Sequence, residues 1–233
     1  MTDRWKRLVP PVAGIGFVAA IVVAVVLGNT PDAGSSGAKV IRYYTTHHGR
    51  ANADILLLAY GAVMAVVFYA GMAGYLRRRG SDLLATLTVA GGVLMAAGFA
   101  VGAGAYAALN DHTTKLSADA AQALNNVNED IFFVALFGGL ALVTLSMGIA
   151  MLRTQAMPKA LGIITVIVGV GAISGIGSWF AFMASAPLTL AIAWFLYERT
   201  GEPESITLPD VPEQRVVETE APAKTTRRSR TTA

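Results

Sequence analysis

The sequence predicts an all-α fold, a polytopic transmembrane helical bundle of about six spans, on three observations. First, 54% of the 233 residues are hydrophobic and only 14% charged, far from the balance of a soluble domain. Second, the apolar segments between Leu8 and Leu196 are long enough to cross a bilayer, and their cores hold no Asp, Glu, Lys, Arg or His. Third, arginines recur where apolar segments end, the pattern that fixes orientation in a membrane. The net charge of +3 is spent in those short clusters, which excludes a nucleic-acid footprint, and without cysteine there are neither disulfides nor thiolate metal sites.

The first span, about Leu8 to Gly28, follows the basic leader Arg4, Lys6 and Arg7. It is long for the apolar core of a signal peptide and lacks a convincing small-residue cleavage site before Asn29, so a retained anchor is expected. The second runs from about Asp54 to Leu76 and ends in Arg77-Arg78-Arg79-Gly80; the third covers about Leu83 to Leu109, and the fourth about Ile131 to Leu152, closed by Arg153. The stretch from Ala160 to Tyr197 would extend roughly 57 Å as one helix, nearly twice the hydrocarbon thickness. Gly175, Gly177 and Ser178 provide a break, giving spans of about Ala160 to Gly177 and Trp179 to Tyr197, the second kinked by Pro187. Placing the N-terminus in the cytoplasm puts Arg77 to Arg79, Arg153, Lys159, Arg199 and the basic tail there too. The outer side keeps only Lys39, Arg42, Arg50 and Lys115, so both termini are expected in the cytoplasm and the protein in the plasma (inner) membrane.

Sliding the chain against itself by 76 positions sets Asn52-Ala53-Asp54-Ile55 on Asn128-Glu129-Asp130-Ile131 and Leu76-Arg77 on Leu152-Arg153. Three tandem helical hairpins, the last without an outer loop, account for this; convergent topology accounts for it as well. The residues divide into a bundle, 1–199, with outer loops 29–53 and 110–128, and a disordered cytoplasmic tail, 200–233. The tail is read from its prolines, its acidic run and its Thr/Arg terminus.

Within the outer loops, Gly34 to Gly49 reads as a short surface helix with Val40, Ile41 and Tyr44 on one face, and Leu116 to Val127 as a second, with Ser117 as N-cap. All three histidines, His47, His48 and His112, lie in these loops, with Asp54, Asp111, Glu129 and Asp130 near the same interface. Imidazoles with carboxylates such as Asp54 and Asp130 are a sufficient ligand set for zinc, and a zinc-bound water there would hydrolyse a lipid-like substrate. No His-x-x-x-His pair supports it, so the set depends on two loops meeting; helix capping is the competing role for Asp54 and Asp130. Gly98-x-x-x-Gly102 and Gly171-x-x-x-Gly175 are small-residue seams, suited to packing within one bundle or to a homo-oligomer. Tyr60, Tyr69 and Tyr106 need hydroxyl partners such as Thr144 or Ser146.

With the outer helix Ser36-Gly37-Ala38-Lys39-Val40-Ile41-Arg42-Tyr43-Tyr44, His47 and the stretch from Ala123-Leu124-Asn125 to Phe133, the chain resembles the uncharacterised multi-pass membrane proteins of high-GC Gram-positive (actinobacterial) bacteria. The resemblance covers about Leu8 to Tyr197 and implies a helical plasma-membrane protein, but no reaction, cofactor or site residue. The expected function is a non-enzymatic structural, lipid-interacting or accessory component with membrane lipids as partners and no cofactor. The alternatives are the outer-face zinc hydrolase and a carrier of a neutral or lipophilic solute lined by Thr86, Thr88, Thr144, Ser146, Thr165 or Ser174.

Overall fold

A computed structural model describes residues 3–28 and 30–199; the expected tail, 200–233, lies outside the described residues. Every element is a helix: α1 (Asp3–Leu27), α2 (Gly37–Thr46), α3 (His48–Arg78), α4 (Asp82–Asp111), α5 (Ala118–Thr154), α6 (Lys159–Ile173) and α7 (Ile176–Arg199). Five of them (α1, α3, α4, α5 and α7) are long and apolar enough to cross a membrane. At 15 residues α6 is the shorter exception, spanning about 22 Å against the roughly 30 Å of a hydrocarbon core.

The long helices pack in chain order, α1 on α3, α3 on α4, α4 on α5, α5 on α6 and α6 on α7, and α7 closes on α1. From α3 to α7 short links force this order, since a connection of a few residues can join only antiparallel neighbours. The tightest is Ser174-Gly175, where Gly175 has φ +67°, a left-handed conformation that costs glycine little. The break expected there is real.

Phe17, Phe68, Tyr69, Phe99, Leu140, Met147 and Ile192 form one buried cluster. Phe17 meets Phe99 edge-on with ring centroids 6.0 Å apart. Valines and isoleucines of α1, α4 and α6, such as Val26, Val93, Ile163 and Ile167, stay exposed around it, as a lipid-facing belt requires. Small residues let backbones approach: a Cβ on Gly91 would lie 2.6 Å from the Val143 nitrogen, and one on Gly139 2.5 Å from the Met95 nitrogen. Gly98 faces Ala135 of α5, and Gly171 faces Ala181 of α7, so both predicted seams contribute to packing within the chain.

One end of the bundle carries Arg77–Arg79, Arg153 and Arg199. There the Ala156 carbonyl accepts from Tyr75 Oη at 2.8 Å and Arg199 Nη1 at 2.7 Å, tying α3 and α7 to the turn after α5. The other end carries α2 and is called the cap end below. The expected helix over 34–49 is present, but its stop is His47 rather than Gly49, and α3 starts immediately beyond.

The second outer segment departs from expectation. It is continuous with the fourth span in the 37-residue α5, leaving 112–117 as the link from α4. Ser117 caps it as expected, its hydroxyl accepting from Ala120 N at 3.2 Å. The helix persists because its inward face is covered. Ala121, Asn125 and Asn128 are buried, and Gly37 meets the Ala118 backbone so closely that a side chain there would collide. Asp54 and Asp130 therefore lie inside helices and cap neither.

Candidate functional site

The cap is a small second core. Val40 and Tyr44 of α2, Ala51 of α3, Leu109 of α4 and Ala121 of α5 are buried together, with Tyr106 packed against them. Between α1 and α2 the chain crosses as a strap, held by Asn125, whose Nδ2 donates to the carbonyls of Pro31 and Asp32 at 3.3 Å each. Gly34 N donates to Asn126 Oδ1 at 2.9 Å. The polar residues that read as an exit from the membrane are thus the strap's anchors.

Beneath the strap lies a cavity of about 570 Å³, within the range of small-molecule sites. Its apolar lining comes from Ile21, Leu58, Phe99, Leu136 and Phe182, with Phe133 and Trp179 beside them. Trp179 meets Phe133 and Phe182 edge-on, at 6.0 and 5.9 Å between centroids. Phe99 and Leu136 also belong to the buried core, so the cavity ends on packed side chains.

Its polar lining is Thr30, Asp32, Asp54, Tyr106 and Glu129, with no Lys, Arg or His among the described residues. Tyr106 Oη donates to Glu129 Oε1 at 3.4 Å and lies 3.5 Å from Thr30 Oγ1, both long contacts. Asp54 is only 4% exposed, and neither carboxylate oxygen has a hydrogen-bond partner among the described residues.

That carboxylate belongs to a pattern. The buried side-chain atoms without partners among the described residues fall on Tyr43, Tyr44, Arg50, Asp54, Asn110, Asn125 and Asn128, all in the cap or where it meets the bundle. An unpaired buried polar atom costs about 1–3 kcal/mol, so their concentration there marks a region built for something other than stability. Burial raises the Tyr44 hydroxyl above its ordinary pKa, reinforced by Tyr106; burial and Asp54 do the same for Tyr43. Both remain neutral donors at physiological pH.

The histidines take no part. His47 is exposed, stacks on Tyr43 at 4.9 Å and places Nδ1 2.8 Å from Thr46 Oγ1. His48, His112 and Asp130 are exposed too, while Asp54 is buried at the cavity. No group of three His, Asp or Glu among the described residues stands close enough to hold a metal ion.

Of the hydroxyls expected to line a solute path, none lines the cavity. Thr144 and Thr165 bond back to carbonyls of their own helices, Thr88 meets Ser146 at 3.0 Å, and Thr86 and Ser174 are exposed. Tyr69 finds its partner in Thr189 rather than Thr144 or Ser146. The strap and the cavity had no motif to announce them. Asp54 did carry a signal, for it lies four residues before Leu58 on the face that continues through Gly61, Ala65 and Phe68 into the core.

Fold and site together define a helical bundle with long apolar helices and, at one end, a dead-ended, acidic-lipped cavity. No protein-family model, no curated protein and no solved structure matches the chain.

Proposed function

We propose that this is a non-enzymatic integral protein of the plasma membrane that binds a lipid-like, amphipathic molecule in the cap-end cavity, as a structural or accessory component. The observation that carries this reading is the cavity itself: aromatic and aliphatic walls leading to a polar lip, set at one end of helices long enough to cross a bilayer. Such a site matches a molecule with an apolar chain and a polar head. Dead-ending on Phe99 and Leu136 favours a binding site over a conduit.

The reading is tested by filling the space. Ala24 lines the cavity, and Ala24→Trp is expected to remove most of the lipid that co-purifies with the wild-type protein, measured by lipid mass spectrometry after detergent exchange. Equal lipid content in variant and wild type overturns it.

The proposed orientation places the cap outside and Arg77–Arg79, Arg153, Lys159 and Arg199 inside, following the excess of basic residues at that end. Because the chain has no cysteine, single substitutions report topology directly. Ser35→Cys is expected to react with a membrane-impermeant maleimide on intact cells, and Asp82→Cys, at an exposed position, only after permeabilisation. The reverse pattern inverts the orientation.

A further inference from the structure

Resting on the cavity reading above, we propose that the bound molecule is a lipophilic organic cation, an ammonium on an apolar chain, with its head at Asp54 and Glu129 and its chain against Phe99, Leu136 and Phe182. The lining presents three carboxylates, Asp32, Asp54 and Glu129, and no basic side chain among the described residues. Asp54 is the decisive one, because both its oxygens are buried and unpartnered among the described residues. A carboxylate in low dielectric is costly unless a cation or several donors meet it, and a positive head supplies a direct contact that no described residue makes. Arg50, one turn earlier on α3, is near enough for its charge to act on Asp54, yet it does not line the cavity and gives neither carboxylate oxygen a hydrogen bond.

The walls suit the same head. Phe133, Trp179 and Phe182 bring aromatic rings to the lining, and an ammonium is attracted to ring faces by their quadrupole. Three acidic side chains would also repel the phosphate of a phospholipid head. The ligand class is therefore a cation without a phosphate, rather than a zwitterionic or anionic lipid.

The full chain in maltoside micelles, carrying Trp5→Phe and Trp194→Phe so that Trp179 reports alone, is titrated with decyltrimethylammonium, 1-decanol, decyl sulfate and decylphosphocholine. Quenching in protein-free micelles with free tryptophan corrects for partitioning. The ammonium is expected to bind about tenfold or more tightly than the alcohol, the scale of one buried charge-assisted contact. Asp54→Asn is expected to reduce that preference by about tenfold, with Glu129→Gln as a second variant should Asp54→Asn fail to elute as a single species. Ala24→Phe, which fills the same space without adding a tryptophan, is expected to weaken every probe.

Equal affinity for all four probes, still lost in Ala24→Phe, overturns the cation assignment and leaves the cavity reading standing. Decylphosphocholine binding as tightly as the ammonium also overturns it, since phosphate would then be tolerated. No binding of any probe to the Trp179-only protein overturns both.

Discussion

Gly139→Leu is expected to leave no monodisperse protein, whereas Gly138→Leu, one position earlier on the same helix, is expected to behave like the wild type. Both substitutions raise helix propensity by about 1 kcal/mol and add the same apolar side chain, so neither local preference nor hydrophobicity separates them. Their surroundings do. A Cβ on Gly139 would meet the Met95 backbone nitrogen at 2.5 Å and its Cα at 2.8 Å. Backbone cannot step aside as a flexible side chain can, so α4 and α5 must part. Reciprocal contact at Gly91, where a Cβ would lie 2.6 Å from Val143 N, makes the damage run along the seam. At Gly138 the nearest atom is Leu94 Cδ2 at 3.9 Å, ordinary van der Waals contact. Helix association in lipid has little hydrophobic drive and rests on such close packing, so losing it exceeds the roughly 1–3 kcal/mol of overpacking in a soluble core. Size-exclusion profiles and thermal midpoints of the two variants decide it; equal behaviour would mean that α4 and α5 do not approach as closely as the structure places them.

That contrast shows what hydropathy could and could not convey. The all-helical, apolar character, the break at Gly175 and the Ser117 cap were legible, because each follows from a local property: run length, a φ open to glycine, a hydroxyl before a helix. Of about six expected spans, five helices reach spanning length and α6 does not. The outward extension of α5 was not. Asn125, Asn126, Asn128, Glu129 and Asp130 look like the end of a membrane helix, and only the strap and α2 lying over them explain why the helix continues. Of the candidate ligands named from sequence, the structure brings Asp54 to the cavity and leaves the three histidines and Asp130, its counterpart in the 76-residue match, exposed. The aligned pair has opposite fates, Asp54 buried and Asp130 exposed, because α3 turns position 54 toward the core and α5 turns position 130 away. Sequence identity between repeats carries no information about which copy faces a cavity.

Asp54→Asn, measured without ligand, is expected to be more stable than the wild type. The carboxylate is buried with neither oxygen hydrogen-bonded among the described residues, and replacing it by a neutral amide of the same shape removes a buried charge that only the nearby Arg50 offsets. The gain should be about 1–3 kcal/mol, the ordinary penalty of an unpaired buried group. For a chain of this size that is about 2–12 °C in thermal midpoint. A residue that lowers stability where it stands is typical of binding sites, which trade folding free energy for recognition. Arg50 supplies the internal control. If Asp54 served only as its structural partner, Asp54→Asn and Arg50→Gln would each destabilise, and the double variant would show coupling above about 0.5 kcal/mol. Arg50 acts on Asp54 through its charge but gives neither oxygen a hydrogen bond, so the coupling is expected to stay below that. Addition of decyltrimethylammonium should reverse the order, raising the wild-type midpoint and leaving Asp54→Asn nearly unmoved, because only a ligand that prefers the folded state shifts its stability. A lower midpoint for Asp54→Asn without ligand would assign the carboxylate to the fold and take the cation site away with it.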